Sequence, residues 1–171
     1  MAATKFRKGR FYISATLPHL KDVVREMEFS ADHTLADLHN LILRAYHFDD
    51  DHKYSFFLDN IPFSENRYND HRDKDFDEGP YSDEIMLGEL SWNVGDSVLY
   101  VFNFVDEWLF NVKLLSIDEK ASALMFPKVI LSKGDAPPQY DNSDDAEEGN
   151  LFGFDDDDFD VDDETYFDDG E

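Results

Sequence analysis

The sequence predicts an α+β fold, with a mixed or antiparallel sheet, one main helix and an acidic C-terminal tail. Three observations carry that reading. Several short runs alternate apolar and polar residues, as half-buried strands do. One run repeats its apolar residues at helical spacing. Acidic residues crowd into the last 31 positions, outside any such pattern.

In chain order, Phe11 to Leu17 is the first strand, with Phe11, Ile13, Ala15 and Leu17 on one face. Pro18 to Asp22 breaks it. Val23 to Phe29 is the second strand, with Met27 and Phe29 inward and Glu26 and Glu28 outward. Arg25 interrupts that alternation, which a bulge or an edge position would explain. Thr34 caps the helix, with Asp37 three residues on, although a capping box prefers Glu or Gln there. Leu35, Leu38, Ile42 and Ala45 give it one buried face, and it ends near His47-Phe48.

Lys53 to Leu58 is the third strand, with Tyr54, Phe56 and Leu58 on one side. Residues 59–84 form a polar connection too long for a bare link, so it covers a surface or moves. Ile85 to Trp92 forms a short helical turn. Val98 to Val105 and Trp108 to Ile117 make a hairpin around Asp106-Glu107. Phe126 to Leu131 is the last strand, and Gly134 to Pro138 closes the body. The order β-β-α-β, then β-β-β, fits an α+β domain whose opening resembles a β-grasp.

The charge divides this chain in two. It has 171 residues, 15 Lys+Arg and 40 Asp+Glu, for a net −25. Residues 141–171 hold 16 of the acids and no Lys or Arg, so residues 1–140 carry only −9. The expected organisation is a single domain over 1–140 and a polyacidic tail over 141–171. A body of that length can bury a real core, and with 12 of the chain's 16 Phe before residue 141 that core is expected to be aromatic-rich. Without Cys there is no disulfide scaffold, thiolate zinc site or Cys nucleophile. No apolar run approaches the roughly 20 residues of a membrane helix. No apolar signal segment follows the basic start, so the expected location is cytoplasmic. Direct binding to nucleic acid needs a positive footprint. The chain offers only the short cluster Lys5, Arg7, Lys8 and Arg10.

Four constellations bear on chemistry. Asp73 to Glu84 is similar to a calcium loop, but Glu78 stands where an EF-hand needs Gly, so a solvated loop is expected. His47, Asp49, Asp50, Asp51 and His52 hold ligand types for a transition metal. They sit at a helix-to-strand turn where side chains diverge, so structural roles are expected. His39 lies beside the buried helix stripe and reads first as a packing residue. No Gly-x-Ser-x-Gly elbow and no Gly-rich phosphate loop occurs. No cofactor is expected. The fourth constellation is the tail, where Phe152, Phe154 and Phe159 stand among runs of Asp. An acid-rich segment is ordinarily a solvated, disordered end. Its aromatic residues add anchors, and such a segment suits docking on a basic, apolar groove.

From about residue 10 to 140 the chain resembles the plasmid pRi ORF-three-like family, first described as an open reading frame of an Ri plasmid. The resemblance rests on Leu35-Ala36-Asp37-Leu38-His39-Asn40-Leu41-Ile42 with Ala45-Tyr46, and on Asp51-His52-Lys53-Tyr54-Ser55-Phe56. It continues in Val94 to Tyr100, Phe102-Asn103-Phe104-Val105-Asp106-Glu107-Trp108, Phe126 to Val129 and Gly134 to Pro138. In the family's hairpin, Asn103 stands in place of an Asp, Val105 of a Gly and Phe110 of a His. His39, His52, Asp106 and Trp108 remain. The resemblance implies an α+β fold and no established activity. The family also carries the label TnpR, as a passenger of insertion elements. That label suggests a resolvase, and this acidic chain lacks the Arg-rich pocket and basic end a serine resolvase needs.

These readings give three expectations for function. The first is a non-enzymatic interaction module whose tail engages a basic protein partner or folds back on Lys5, Arg7, Lys8 and Arg10. The second is a nucleic-acid mimic that occupies a DNA-binding protein. The third is a metal-dependent hydrolase with a site near His39, His52 and Asp106, around Trp108.

Overall fold

The computed structural model describes residues 5–73 and 79–140. The chain divides at Pro137, and the first unit, Met1–Pro137, contains all the described strands and helices. The expected tail, with Phe152, Phe154 and Phe159, lies outside the described residues.

Strand β1 (Arg10–Leu17) and β2 (Leu20–Ser30) form an antiparallel hairpin. Leu17 already pairs with Leu20, so the expected break to Asp22 shrinks to the turn at Pro18-His19. Gly9, at φ +102°, leads into β1 against the backbone of Asp118, where any Cβ would collide. Helix α1 (Leu35–Tyr46) begins at the expected place. Thr34 Oγ1 accepts from Asp37 N at 3.2 Å, and Asp37 Oδ2 accepts from Thr34 N at 2.9 Å. The box therefore closes with Asp, whose shorter side chain still reaches the cap. His47 ends the helix in the left-handed region at φ 60°, its N–H donating to Arg44 O.

Strands β3 (Tyr54–Phe57), β4 (Arg67–Asn69), β5 (Ser97–Phe102), β6 (Trp108–Asp118) and β7 (Lys128–Lys133) complete one sheet in the order β4-β3-β5-β6-β1-β2-β7. Every strand pairing is antiparallel, which narrows the expectation of a mixed or antiparallel sheet. The β-β-α-β opening is present as an order of elements. In the sheet, β1, β6 and β5 stand between β2 and β3.

Three boundaries depart from the pattern-based reading. The long connection contains β4, which three residues without clear alternation could not announce. Val105 lies in a turn, not in β5, because Asn103 leaves the strand at φ 67° and its Oδ1 accepts from Val105 N and Asp106 N. Phe126 precedes β7 and is exposed. Arg25 is not at an edge; the β1–β2 ladder is regular beside it, and the β2–β7 ladder shifts register next to it, between Glu26 and Met27. Arg25 points inward under the Tyr46 ring, donating to Ala45 O at 3.0 Å and to Lys133 O at 2.9 Å. Backbone carbonyls thus satisfy a buried guanidinium.

Helix α1 covers one face of the sheet. Phe11, Ile13, Met27, Phe29, Tyr54, Phe56, Tyr100, Phe102, Phe110 and Val112 from the sheet meet Leu35, Leu38, Ile42 and Tyr46 from the helix, all buried. Tyr46 OH donates to Ala15 O at 2.6 Å, and burial pushes the Tyr46 pKa up to about 12. The other face carries a smaller cluster, Phe57, Leu99 and Val101, with Phe104 and Leu109 against it. Elsewhere Glu28 accepts from Arg10 and Tyr12, each at 2.9 Å, and lies 3.6 Å from Lys128.

Candidate functional site

A buried polar cluster forms where α1 meets the start of β3 and the end of β5. Helical spacing carries His39 inward beside Leu38 and Ile42, and its side chain has no exposed surface. The imidazole stacks on Tyr54, with centroids 3.6 Å apart and planes at 9°. Its Nδ1 lies 2.6 Å from Tyr100 OH, and its Nε2 lies 3.1 Å from Asp50 Oδ1, out of line for a good hydrogen bond. A carboxylate only accepts, so the tautomer that suits both neighbours carries its proton on Nε2, and the Tyr100 hydroxyl donates to Nδ1.

Arg72 ties this centre to the segment after β4. It donates to Asp50 Oδ1 at 3.0 Å and Oδ2 at 3.1 Å, and to Asp70 Oδ1 at 2.9 Å and Oδ2 at 2.7 Å. Both contacts are two-pronged, the geometry a planar guanidinium favours. Asp70 is buried, whereas Asp50 and Arg72 reach the surface. The Tyr54 hydroxyl lies 3.1 Å from His71 Nδ1 and 2.5 Å from Ser82 Oγ.

Burial lowers the His39 pKa, against a raising contribution from Asp50. Burial also pushes Tyr54 and Tyr100 upward, so all three rings are uncharged at neutral pH. For Asp50, burial acts to raise the pKa, but His39 and Arg72 together hold it below the usual value. Arg72 is raised, first by its bond to Asp70. The cluster is therefore a neutral Tyr-His-Tyr group, with Tyr54 stacked on the imidazole and Tyr100 edge-on to it, bounded by a carboxylate–guanidinium–carboxylate chain. It opens to a surface depression of about 320 Å³ lined by Asp50, Asp51, His52, Lys53, Asp70 and Arg72.

Of the residues singled out in sequence, His39 is central. His52 lies at the depression, with Nε2 3.7 Å from Asp51 Oδ1 and its ring against Phe102. Asp106 belongs to the neighbouring β5–β6 turn, where Oδ2 accepts from Asn103 Nδ2 at 3.0 Å. That turn is tied to this end of the sheet by Asn103 N donating to Lys53 O at 2.8 Å. Trp108 packs edge-on to Phe48, and its indole N–H is buried without a hydrogen-bond partner among the described residues. Glu84, the twelfth residue of the supposed calcium loop, accepts from Tyr81 N. Among the described residues, no group of three or more His, Cys, Asp or Glu could hold a metal ion. Sequence reasoning missed Tyr54, Tyr100, Asp70 and Arg72 as members of a site. Both tyrosines read as strand core, and the charged pair lay in the unassigned connection. Asp50 stands out in sequence only within the His47 to His52 constellation, not as a partner of His39 and Arg72.

The fold and cluster define an α+β protein with a seven-stranded antiparallel sheet, one covering helix and a buried aromatic–histidine centre. The chain belongs to the plasmid pRiA4b ORF-3-like protein family, whose model matches residues 11–143. No curated protein matches it. A crystal structure of a protein of unknown function from Methanosarcina mazei Go1 is similar, with a TM-score of 0.63 and 19% identity over 79% of this chain and 74% of that one. At that identity the likeness shows the fold alone. No described helix is long and apolar enough to cross a membrane.

Proposed function

We propose that the protein is a non-enzymatic interaction module whose acidic, aromatic-bearing C-terminal segment engages a basic protein partner. The observation that carries this reading is the charge partition, with 16 acids and no Lys or Arg over residues 141–171. Charge of one sign steers encounter with a cationic surface, and Phe152, Phe154 and Phe159 supply anchors that lengthen the contact. A separate partner is favoured over fold-back because two cations of the expected acceptor are committed inside the body. Arg7 donates to Leu90 O at 3.0 Å, and Arg10 to Glu28 and to Ser122 O.

The nucleic-acid mimic is a special case of this reading, in which the partner's cationic surface is a DNA-binding groove. Duplex DNA would then compete for the partner. The metal-dependent hydrolase draws no support from His39, whose two ring nitrogens face Tyr100 and Asp50.

The test uses a labelled amphipathic peptide, with Lys on one helical face and Leu on the other, titrated into the full chain. Binding should weaken as salt rises. Replacing Phe152, Phe154 and Phe159 together by Ala keeps the charge and should weaken binding about tenfold. Equal affinity for the two chains would mean that the segment acts as a plain polyanion, and the proposal would fall.

A further inference from the structure

Two turns meet at one end of the uncovered sheet face. Residues 58–66 close on themselves: Leu58 N donates to Asn66 O at 2.9 Å, and Asp59 Oδ1 accepts from Ile61 N and Ser64 Oγ. Asn103 holds the β5–β6 turn through its side-chain bonds to residues 105 and 106. Phe63 and Phe104 join the two turns, with ring centroids 5.9 Å apart, and Phe63 also rests edge-on against Phe57. Around this contact large apolar side chains face solvent. Ile61 is 56% exposed, Phe63 47% and Val105 88%. Phe63 stands at φ 62°, a conformation that costs a bulky residue energy. Its presentation is therefore maintained against a local cost.

The rim of the patch is acidic. Residues 59–67 and 103–107 contain Asp59, Glu65, Asp106 and Glu107 against one cation, Arg67, which lies over the Phe57 ring at 5.9 Å. A second copy of this chain would bring carboxylates against carboxylates, since the body carries −9. An apolar surface rimmed by polar groups marks an interaction site. Here the rim's charge selects a cationic occupant.

We infer that this patch, Ile61, Phe63, Phe104 and Val105, seats the apolar face of a basic amphipathic segment of a protein partner. The inference rests on the proposed engagement of a basic partner and names a surface of the body for it. The segment's Leu or Phe side chains lie on Phe63 and Phe104, and its Lys or Arg side chains reach Asp59, Glu65, Asp106 and Glu107. Its apolar side chains would recur at helical spacing.

The test titrates the full chain with the same Lys/Leu peptide, and with a control peptide in which Gln replaces Leu. The variant Ile61→Ser with Val105→Ser changes two side chains that are mostly in solvent, so unchanged thermal unfolding is expected. It should lose about tenfold in affinity for the Leu peptide and nothing for the Gln peptide. Equal affinity of variant and wild type for the Leu peptide would overturn the patch. So would an unchanged affinity accompanied by a lost self-association in sedimentation, which would make the patch a contact between copies. The variant lacking Phe152, Phe154 and Phe159 separates the two claims. If it alone loses binding, the C-terminal reading stands without the patch. If the patch variant alone loses binding, the patch stands without the C-terminal anchors. A wild-type chain that binds neither peptide sinks both.

Discussion

His39 shows how much one side chain can organise. It reaches Tyr54 by stacking, Tyr100 by a hydrogen bond and Asp50 through Nε2 at 3.1 Å, while Arg72 joins Asp50 to Asp70 beyond it. Its lowered pKa has a definite sign for stability. The unfolded chain takes up a proton near pH 6.5, which the folded chain takes up only at lower pH. The stability His39 contributes is thus complete above about pH 6.5 and is lost as pH falls through the folded value. The urea midpoint should fall between about pH 7 and 5 in the wild type, and His39→Gln should flatten that window. Equal slopes would show that His39 ionises alike in both states. The sequence exposed this residue by its place beside a buried stripe. It could not expose the partners, because Tyr100 is 61 positions away and only the packing of α1 on the sheet brings it alongside.

Among the elements, the least legible proved the most consequential for the site. Strands β1 and β6 announce themselves by alternation, and β2 does so apart from Arg25. Helix α1 does so by its 3,4,3 spacing and its Thr34 cap. Strand β4 is three residues long and gains its identity from pairing with β3. The segment after β4 is fixed by Arg72, whose guanidinium holds Asp50 on one side and the buried Asp70 on the other. Removing that cation leaves a buried carboxylate uncompensated. Because the guanidinium is partly exposed, Arg72→Ala should cost about 2–3 kcal/mol in chemical denaturation. Arg72→Lys should recover only part of that, since an ammonium cannot fork to two carboxylates. Full recovery by Lys would mean that charge alone matters.

At the scale of the molecule, 16 of the 40 acids fall in residues 141–171, beyond the aromatic-cored sheet and helix. Residues 1–140 carry the core and the site, and a chain lacking 141–171 should unfold cooperatively within about 3 °C of the full protein. A larger shift, present at low salt and absent at high salt, would point to fold-back instead. Pattern showed every strand of the sheet except β4, but not their order, because alternation says which face a residue takes and nothing about which strand lies beside it. The observed order places β1 against β6, with Ile13 opposite Leu114, 101 positions later in the chain. During synthesis at about 5–20 residues per second, the first hairpin waits roughly 5–20 s before its central neighbour exists. Until then Phe11, Ile13, Met27 and Phe29 lack the strand that completes their layer. A nascent chain of this protein therefore passes through a period of exposed aromatic surface, and its yield should depend on what shields that hairpin while translation continues.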